Sequence, residues 1–225
     1  MKLVPRAVGL VSFLAVAAMG CKADPTPYTF TDGGSAATAT KGKVVKLDFE
    51  ATPPATGTPP DFAHVLGSWA VEQEGSNRIL AQTADLEDPD FPRLILRGTS
   101  FTNVHIKARC SMRGGDSDRA CGITWRGKDS DNYYIARANA LEDNVNLYRV
   151  VANDRQQFGT KGLTVTSNDW HTIEAFMEGA HIRIVWDGQE VIVADDATFP
   201  GGGKVGLWTK ADSVTAFDDL EATEL

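Results

Sequence analysis

No window of this sequence keeps a helical apolar period over three turns, which excludes a helix bundle or an α/β fold. The short catalytic signatures are missing too. There is no G-x-S-x-G elbow, no H-E-x-x-H pair and no Cys–His pair. "GGGK" at Gly201 to Lys204 lacks the spacing and the Ser/Thr of a phosphate loop, and reads as a turn. Basic residues are short, 22 against 30 acidic, for a net charge of −8. Such a surface disfavours nucleic acid and anionic lipid as partners. Histidine is sparse: His64, His105, His171 and His181 are scattered, with only His64 and His171 kept as candidates for a metal or catalytic role. Among three cysteines, none has a further Cys or His at metal-ligand spacing.

What is present begins at the N-terminus. Lys2 and Arg6 precede an apolar run from Ala7 to Met19, followed by Gly20 and Cys21. A basic start, an apolar run and a small-residue exit form a secretory signal, and the run is too short to span a bilayer. "AMGC" resembles the bacterial lipobox, which implies cleavage before Cys21 and a lipid on its sulfur; the alternative is an ordinary signal peptide. The expected organisation is a signal peptide over 1–20, a flexible tether rich in Pro, Gly, Ser and Thr over 21–43, and one domain over 44–225. The expected location is the bacterial envelope, periplasm or outer membrane, with a lipid anchor as the sole membrane contact.

From residue 43 on, short β-prone runs are broken by Gly, Asp, Asn and Pro, as in an all-β two-sheet sandwich. "PPATGTPPDF" and "FPGGG" read as loops, and "WDGQE" as a tight hairpin. Cys110 and Cys121 flank the turn "SMRGGDSDRA". Pairing around that turn sets them opposite each other, and outside the cytoplasm a disulfide is expected.

Three segments carry a resemblance: "ITWRGKDSDNYYIARANALEDNVNLYRVV", "WHTIEAFMEGAHIRIVWDG" and "GGKVGLWTKADSVTAFDDLEA". They resemble the concanavalin A-like jelly-roll domains of bacterial secreted proteins, nearest to the group named for 3-keto-disaccharide hydrolases and related to laminin-G-like jelly rolls. The likeness runs from about Asp48 to the C-terminus. It implies a bent two-sheet jelly roll with a concave face and roles in carbohydrate chemistry. Retaining β-glucanases of this fold carry E-x-D-x-x-E on one strand. Here "EAFME" supplies Glu174 and Glu178 without the middle aspartate, so that mechanism is not expected and no catalytic residue is assigned.

Two clusters remain as candidate sites. First and last strands commonly neighbour each other in a jelly roll, so Asp48, Asp218 and Asp219 could bind Ca²⁺ or simply guard an edge strand with charge. The second is Arg137, a charge in the middle of "NYYIARAN". If the turn pairs Ala138 with Leu147, Arg137 meets Tyr148. One face then collects Tyr133, Ile135, Arg137, Asn139, Asn146 and Tyr148, and the core face Tyr134, Ala136, Ala138, Val145, Leu147 and Val151. The expected ligand set is Arg137, Asn139, Tyr148, Trp208, Asp212 and Glu174, since sugars need polar planar groups beside aromatic faces. The competing account is an internal ion pair of Arg137 with Glu174 or Asp212. The sequence thus points to a lipid-anchored carbohydrate-binding jelly roll, against a hydrolase of a 3-keto glycoside or an adhesion module without small ligand.

Mass spectrometry of the mature N-terminus should find a lipid-modified Cys21. An unmodified terminus at Lys22 or Ala23 would contradict the anchor.

Overall fold

Runs rich in Val, Ile and aromatic residues form strands because branched and ring side chains fit a pleated surface. In the computed structural model, which describes residues 43–225, these strands are β1 (Val44–Leu47), β2 (Ala55–Thr56), β3 (Phe62–Leu66), β4 (Trp69–Glu74), β5 (Asn77–Gln82), β6 (Arg93–Leu96), β7 (Val104–Gly114), β8 (Ala120–Asp129), β9 (Asn132–Asn139), β10 (Asn144–Val151), β11 (Asp154–Gly162), β12 (His171–Glu178), β13 (His181–Trp186), β14 (Gln189–Asp195), β15 (Lys204–Trp208) and β16 (Val214–Glu224). They build two antiparallel sheets. The nine-stranded sheet runs β14-β13-β12-β7-β16-β5-β4-β2, with β1 on β16; the seven-stranded sheet runs β11-β10-β9-β8-β15-β6-β3. The two-sheet jelly-roll sandwich expected from the sequence is what forms. The expected signal peptide, Cys21 and nearly all of the tether lie outside the described residues.

Alternation decides which sheet has a wet face. On β7, Val104, Ile106, Ala108 and Cys110 point inward, while His105, Lys107 and Arg109 point out. On β12, Ile173, Ala175 and Met177 do the same against Thr172, Glu174 and Phe176. The inward sets meet Ile123, Trp125, Tyr134, Ala136, Leu147 and Leu207 of the seven-stranded sheet in one core. The Tyr134 hydroxyl in this interior is paired. Tyr134 donates to the Asp196 carboxylate at 2.5 Å, and Arg149 ion-pairs with the same carboxylate. Burial, and then that contact with Asp196, push the Tyr134 phenol up to about 12.

The structure differs from the sequence reading in three places. β2 lies inside the segment read as a loop, and β3 begins at its last residue, Phe62. β11, "DRQQFGTKG", has no apolar alternation; its backbone ladder with β10 holds it as an edge strand. The Cys110–Cys121 bond forms, but β7 and β8 belong to different sheets, so the bond crosses the sandwich interior rather than a hairpin. The turn geometry that motivated the pairing is not what makes it. "WDGQE" is the expected tight turn, with Asp187 at φ 48 and Gly188 at φ 76. β1 pairs along β16, setting first and last strands side by side as expected.

Replacing Cys110 and Cys121 together by alanine should lower the unfolding free energy by about 3 kcal/mol, the chain-entropy value for so short a loop. Urea unfolding of the oxidised protein and of the double variant measures it, and equal midpoints would refute the role.

Candidate functional site

The site is built by the β9–β10 hairpin. Its turn, residues 140–143, is shorter than the sequence reading assumed. Asn139 faces Asn144, Ala138 faces Val145 and Arg137 faces Asn146. The expected Ala138–Leu147 and Arg137–Tyr148 pairs are therefore displaced by two residues. A two-residue displacement leaves every side chain on its own face, so the expected partition survives the wrong register. Tyr134, Ala136, Ala138, Val145 and Leu147 enter the inter-sheet core. Tyr133, Ile135, Tyr148 and Val150 join Ala120 and Trp208 in a second cluster on the outer face, with Phe91 packed against it.

That outer face is sheltered. Trp208 is 0% exposed and Arg137 2%. Arg137 donates from Nη1 to Asn144 Oδ1 at 3.0 Å, and from Nη2 to Glu142 Oε2 at 2.6 Å and to the Tyr148 hydroxyl at 3.1 Å. The Tyr148 oxygen also accepts from Asn146 Nδ2 at 2.9 Å, and Thr160 donates to Asn146 Oδ1. Neither expected ion-pair partner is used: the carboxylate comes from Glu142, in the hairpin's own turn. Arg93 lies over the Tyr133 ring at 4.0 Å and donates to the Ser130 carbonyl. Arg155 lies 5.0 Å from the Phe91 ring centre and 4.8 Å from that of Tyr148. Phe91 in turn packs on Trp208 at 5.3 Å.

The other expected ligand residues scatter. Asn139 is buried and donates to Asp118, whose carboxylate is ion-paired with Lys210 at 2.6 Å. Asp212 accepts the backbone N–H groups of Asp116, Ser117 and Asp118. Burial opposes its charge, yet these three donors together hold its carboxyl below the usual range. It is a clamp on the β7–β8 loop, with its oxygens committed to that loop. Glu174 is on the other sheet, 2.8 Å from His105, in a cleft of about 450 Å³ lined also by Lys46, Asp48, Lys107, Arg109 and Asp219. The expected six-residue set is thus divided, with Asp212 clamping the β7–β8 loop and Glu174 on the outer face of the other sheet.

Nor do the calcium candidates assemble. Asp48 accepts the Glu50 N–H. Asp218 is buried and accepts from Asn77, while Arg109 sits 3.7 Å from it and 3.2 Å from Asp219. Arg109 thus answers the charge of both carboxylates, and among the described residues no three His, Cys, Asp or Glu side chains converge as metal ligands. His64 contacts the Gly67 carbonyl, and His171 pairs with Asp187 while stacking on Trp186.

Sequence reading missed Glu142, Asn144, Arg93, Arg155 and Phe91. Glu142 and Asn144 sit in the quoted turn five and seven positions from Arg137, a signal that could have been used. Arg155 was hidden because β11 was not recognised. Phe91 and Arg93 reach the face through the place of β6 beside β15.

Burial works against the Glu142 charge, but the hydrogen bonds from Arg137 and Asn144 outweigh it and lower its pKa from 4.5. A carboxyl depressed on folding stabilises above its unfolded pKa, and that contribution is lost as pH falls through the folded value. The wild type should therefore lose more thermal stability than Glu142→Gln between about pH 5 and pH 3. Parallel melting curves would disprove the pair's contribution.

No family model matches the chain, and no curated protein matches it in sequence. Solved structures do match in fold. A carbohydrate-binding module, CBM66, from Bacillus subtilis superposes with a TM-score of 0.64 at 21% identity, over 73% of this chain and 96% of the module. The laminarinase from Rhodothermus marinus gives 0.59 at 13% identity, over 82% of this chain and 98% of that one. A mutant of the GH43 protein BlXynB from Bacillus licheniformis also gives 0.59 at 13% identity, over 80% of this chain and 39% of that longer protein. What these neighbours share with this chain is the fold already described, a two-sheet antiparallel β-sandwich of jelly-roll type.

Proposed function

We propose that this protein binds carbohydrate on the sheltered outer face of its seven-stranded sheet, held at the bacterial envelope by a lipid on Cys21. The observation that carries the reading is the composition of that face. Arg137, Tyr148, Asn144 and Glu142 form one hydrogen-bonded set, flanked by Phe91, Tyr133 and Arg155. Sugar hydroxyls need paired donors and acceptors, and the C–H faces of a ring pack on aromatic planes. Glu142 is exposed, while Asn144, Phe91 and Arg155 are half-buried, so the rim of the set is open to a ligand. The fold neighbours named for carbohydrate binding and glycoside hydrolysis support the same class of partner.

Binding is favoured over hydrolysis by the state of the carboxylates. Two-carboxylate hydrolysis needs one group free to give a proton and another free to act as base or nucleophile. On this face Glu142 is committed to Arg137 and Asp118 to Lys210. Hydrolysis of a 3-keto disaccharide, the rival from the sequence resemblance, would need a further group.

A glycan array probed with the full chain should return at least one carbohydrate, and no sugar bound at any concentration tested would end this reading. Calorimetry on a glycan so found then locates the site. Arg137→Ala should weaken binding by roughly thirtyfold, as truncation of a central anchor does. Glu174→Ala, on the opposite outer face, should leave it unchanged. The reverse order would move the site to the cleft of the nine-stranded sheet. If Arg137→Ala does not fold by circular dichroism, Glu142→Ala replaces it, since that side chain is 43% exposed. Release of product from a 3-keto disaccharide would favour the enzyme.

A further inference from the structure

Three arginines converge on the outer face of the seven-stranded sheet. Arg137 and Arg155 both lie against the Tyr148 ring, and Arg93 covers the Tyr133 ring. The positive charges of Arg93 and Arg155 both act on the Tyr133 hydroxyl. They come from β9, β11 and the start of β6, three strands of the same sheet.

Their donors are not used up. Among the described residues, Nε and Nη1 of Arg93, Nε of Arg137 and Nη1 of Arg155 are buried with no hydrogen-bond partner. Arg93 is 5% exposed and Arg137 2%, so solvent reaches little of either. An unpaired buried donor is costly, and more so when it is charged. The anions nearby do not cover the deficit. Glu142 is spent on Arg137. Asp129 and Asp131 lie near Arg93, but Asp129 accepts from Asp131 and Asn132, and Asp131 accepts from Ser130. Burial lowers the pKa of Arg93 in spite of them. For Arg155 the contacts are two aromatic rings. Arg155 as a residue is half-buried, whereas Arg93 and Arg137 are buried, so of the three it is the one nearest the rim.

Guanidinium offers donors only, in a planar fork that matches two oxygens of one planar acceptor. A neutral hydroxyl would fill one donor and leave the charge uncompensated; a carboxylate fills two and neutralises it. From this we infer that the ligand of this face is a carboxylated glycan, a chain containing uronic acid, whose carboxylate is received by Arg155 beside Arg93. The inference rests on the proposal that the face binds carbohydrate. It also runs against the overall charge of −8, so selectivity must come from these local groups rather than from long-range attraction.

The probes are oligogalacturonate, oligomannuronate and oligoglucuronate, each beside its methyl ester, which removes the charge and keeps every hydroxyl. Titrated calorimetrically into the full chain, at least one free acid should bind roughly tenfold to a hundredfold tighter than its ester, the worth of a hydrogen bond to a charged group. Arg155→Gln should abolish the preference for acid over ester, and Arg155→Lys should restore part of that preference. Equal affinity for acid and ester, or binding of neutral glycans alone, overturns the carboxylate and leaves carbohydrate binding standing. No binding of any acid, ester or neutral glycan overturns both. Loss of acid and ester together in Arg155→Gln, with the fold intact, assigns Arg155 to general sugar contact and refutes its role as carboxylate receptor.

Discussion

Strand β9 has no solvent face: from Tyr133 to Asn139 every side chain is buried. One side of the strand meets the inter-sheet core, and the other meets a second cluster of aromatics and guanidinium groups on the outside of the sheet. A strand buried on both sides has nowhere to put a charge except against partners, because an unpaired charge in such surroundings costs several kcal/mol. Arg137 sits there on those terms. Glu142, Asn144 and Tyr148 hold its guanidinium, and the short turn of the hairpin brings the first two within reach. Much of the site follows from that requirement, since satisfying Arg137 fixes Tyr148, and Tyr148 carries Arg155.

The two outer faces of the sandwich solve the charge problem differently. On the nine-stranded sheet, charges alternate with the core residues and neutralise each other near the surface: Lys46 with Glu221, Arg109 with Asp219. Exposed pairs of this kind contribute little to stability and are screened by salt. On the seven-stranded sheet the charges are sheltered and partly unanswered. The first arrangement is that of a surface held in water. The second keeps donors in a low-dielectric setting, where a matching acceptor gains the most.

Stability has its own cross-sheet elements. The Cys110–Cys121 bond joins β7 of one sheet to β8 of the other. Asp212 gathers the N–H groups of the loop between those same strands. Bond and clamp therefore act on one crossing, and Lys210, two residues before Asp212, reaches Asp118 in that loop. The position of Asn139 at the end of β9 depends on this crossing through its bond to Asp118.

The sequence by itself determined the class of the fold and the division of the hairpin into two faces. Strand alternation has a period of two and is local, so it could be read from Tyr133 to Val151 even with the register wrong by two residues. It also pointed to Cys110 and Cys121 as the expected disulfide, and that bond forms. Only the tertiary structure decided where that bond runs, which carboxylate answers Arg137, and that Glu174 lies on the opposite sheet from it. It also decided that Arg93 and Arg155 arrive beside Tyr133 and Tyr148. These outcomes depend on strand order, with β15 inserted between β8 and β6 and β11 added at the edge. Strand order is set by packing across the whole domain, and local patterning carries no record of which distant strand will lie alongside.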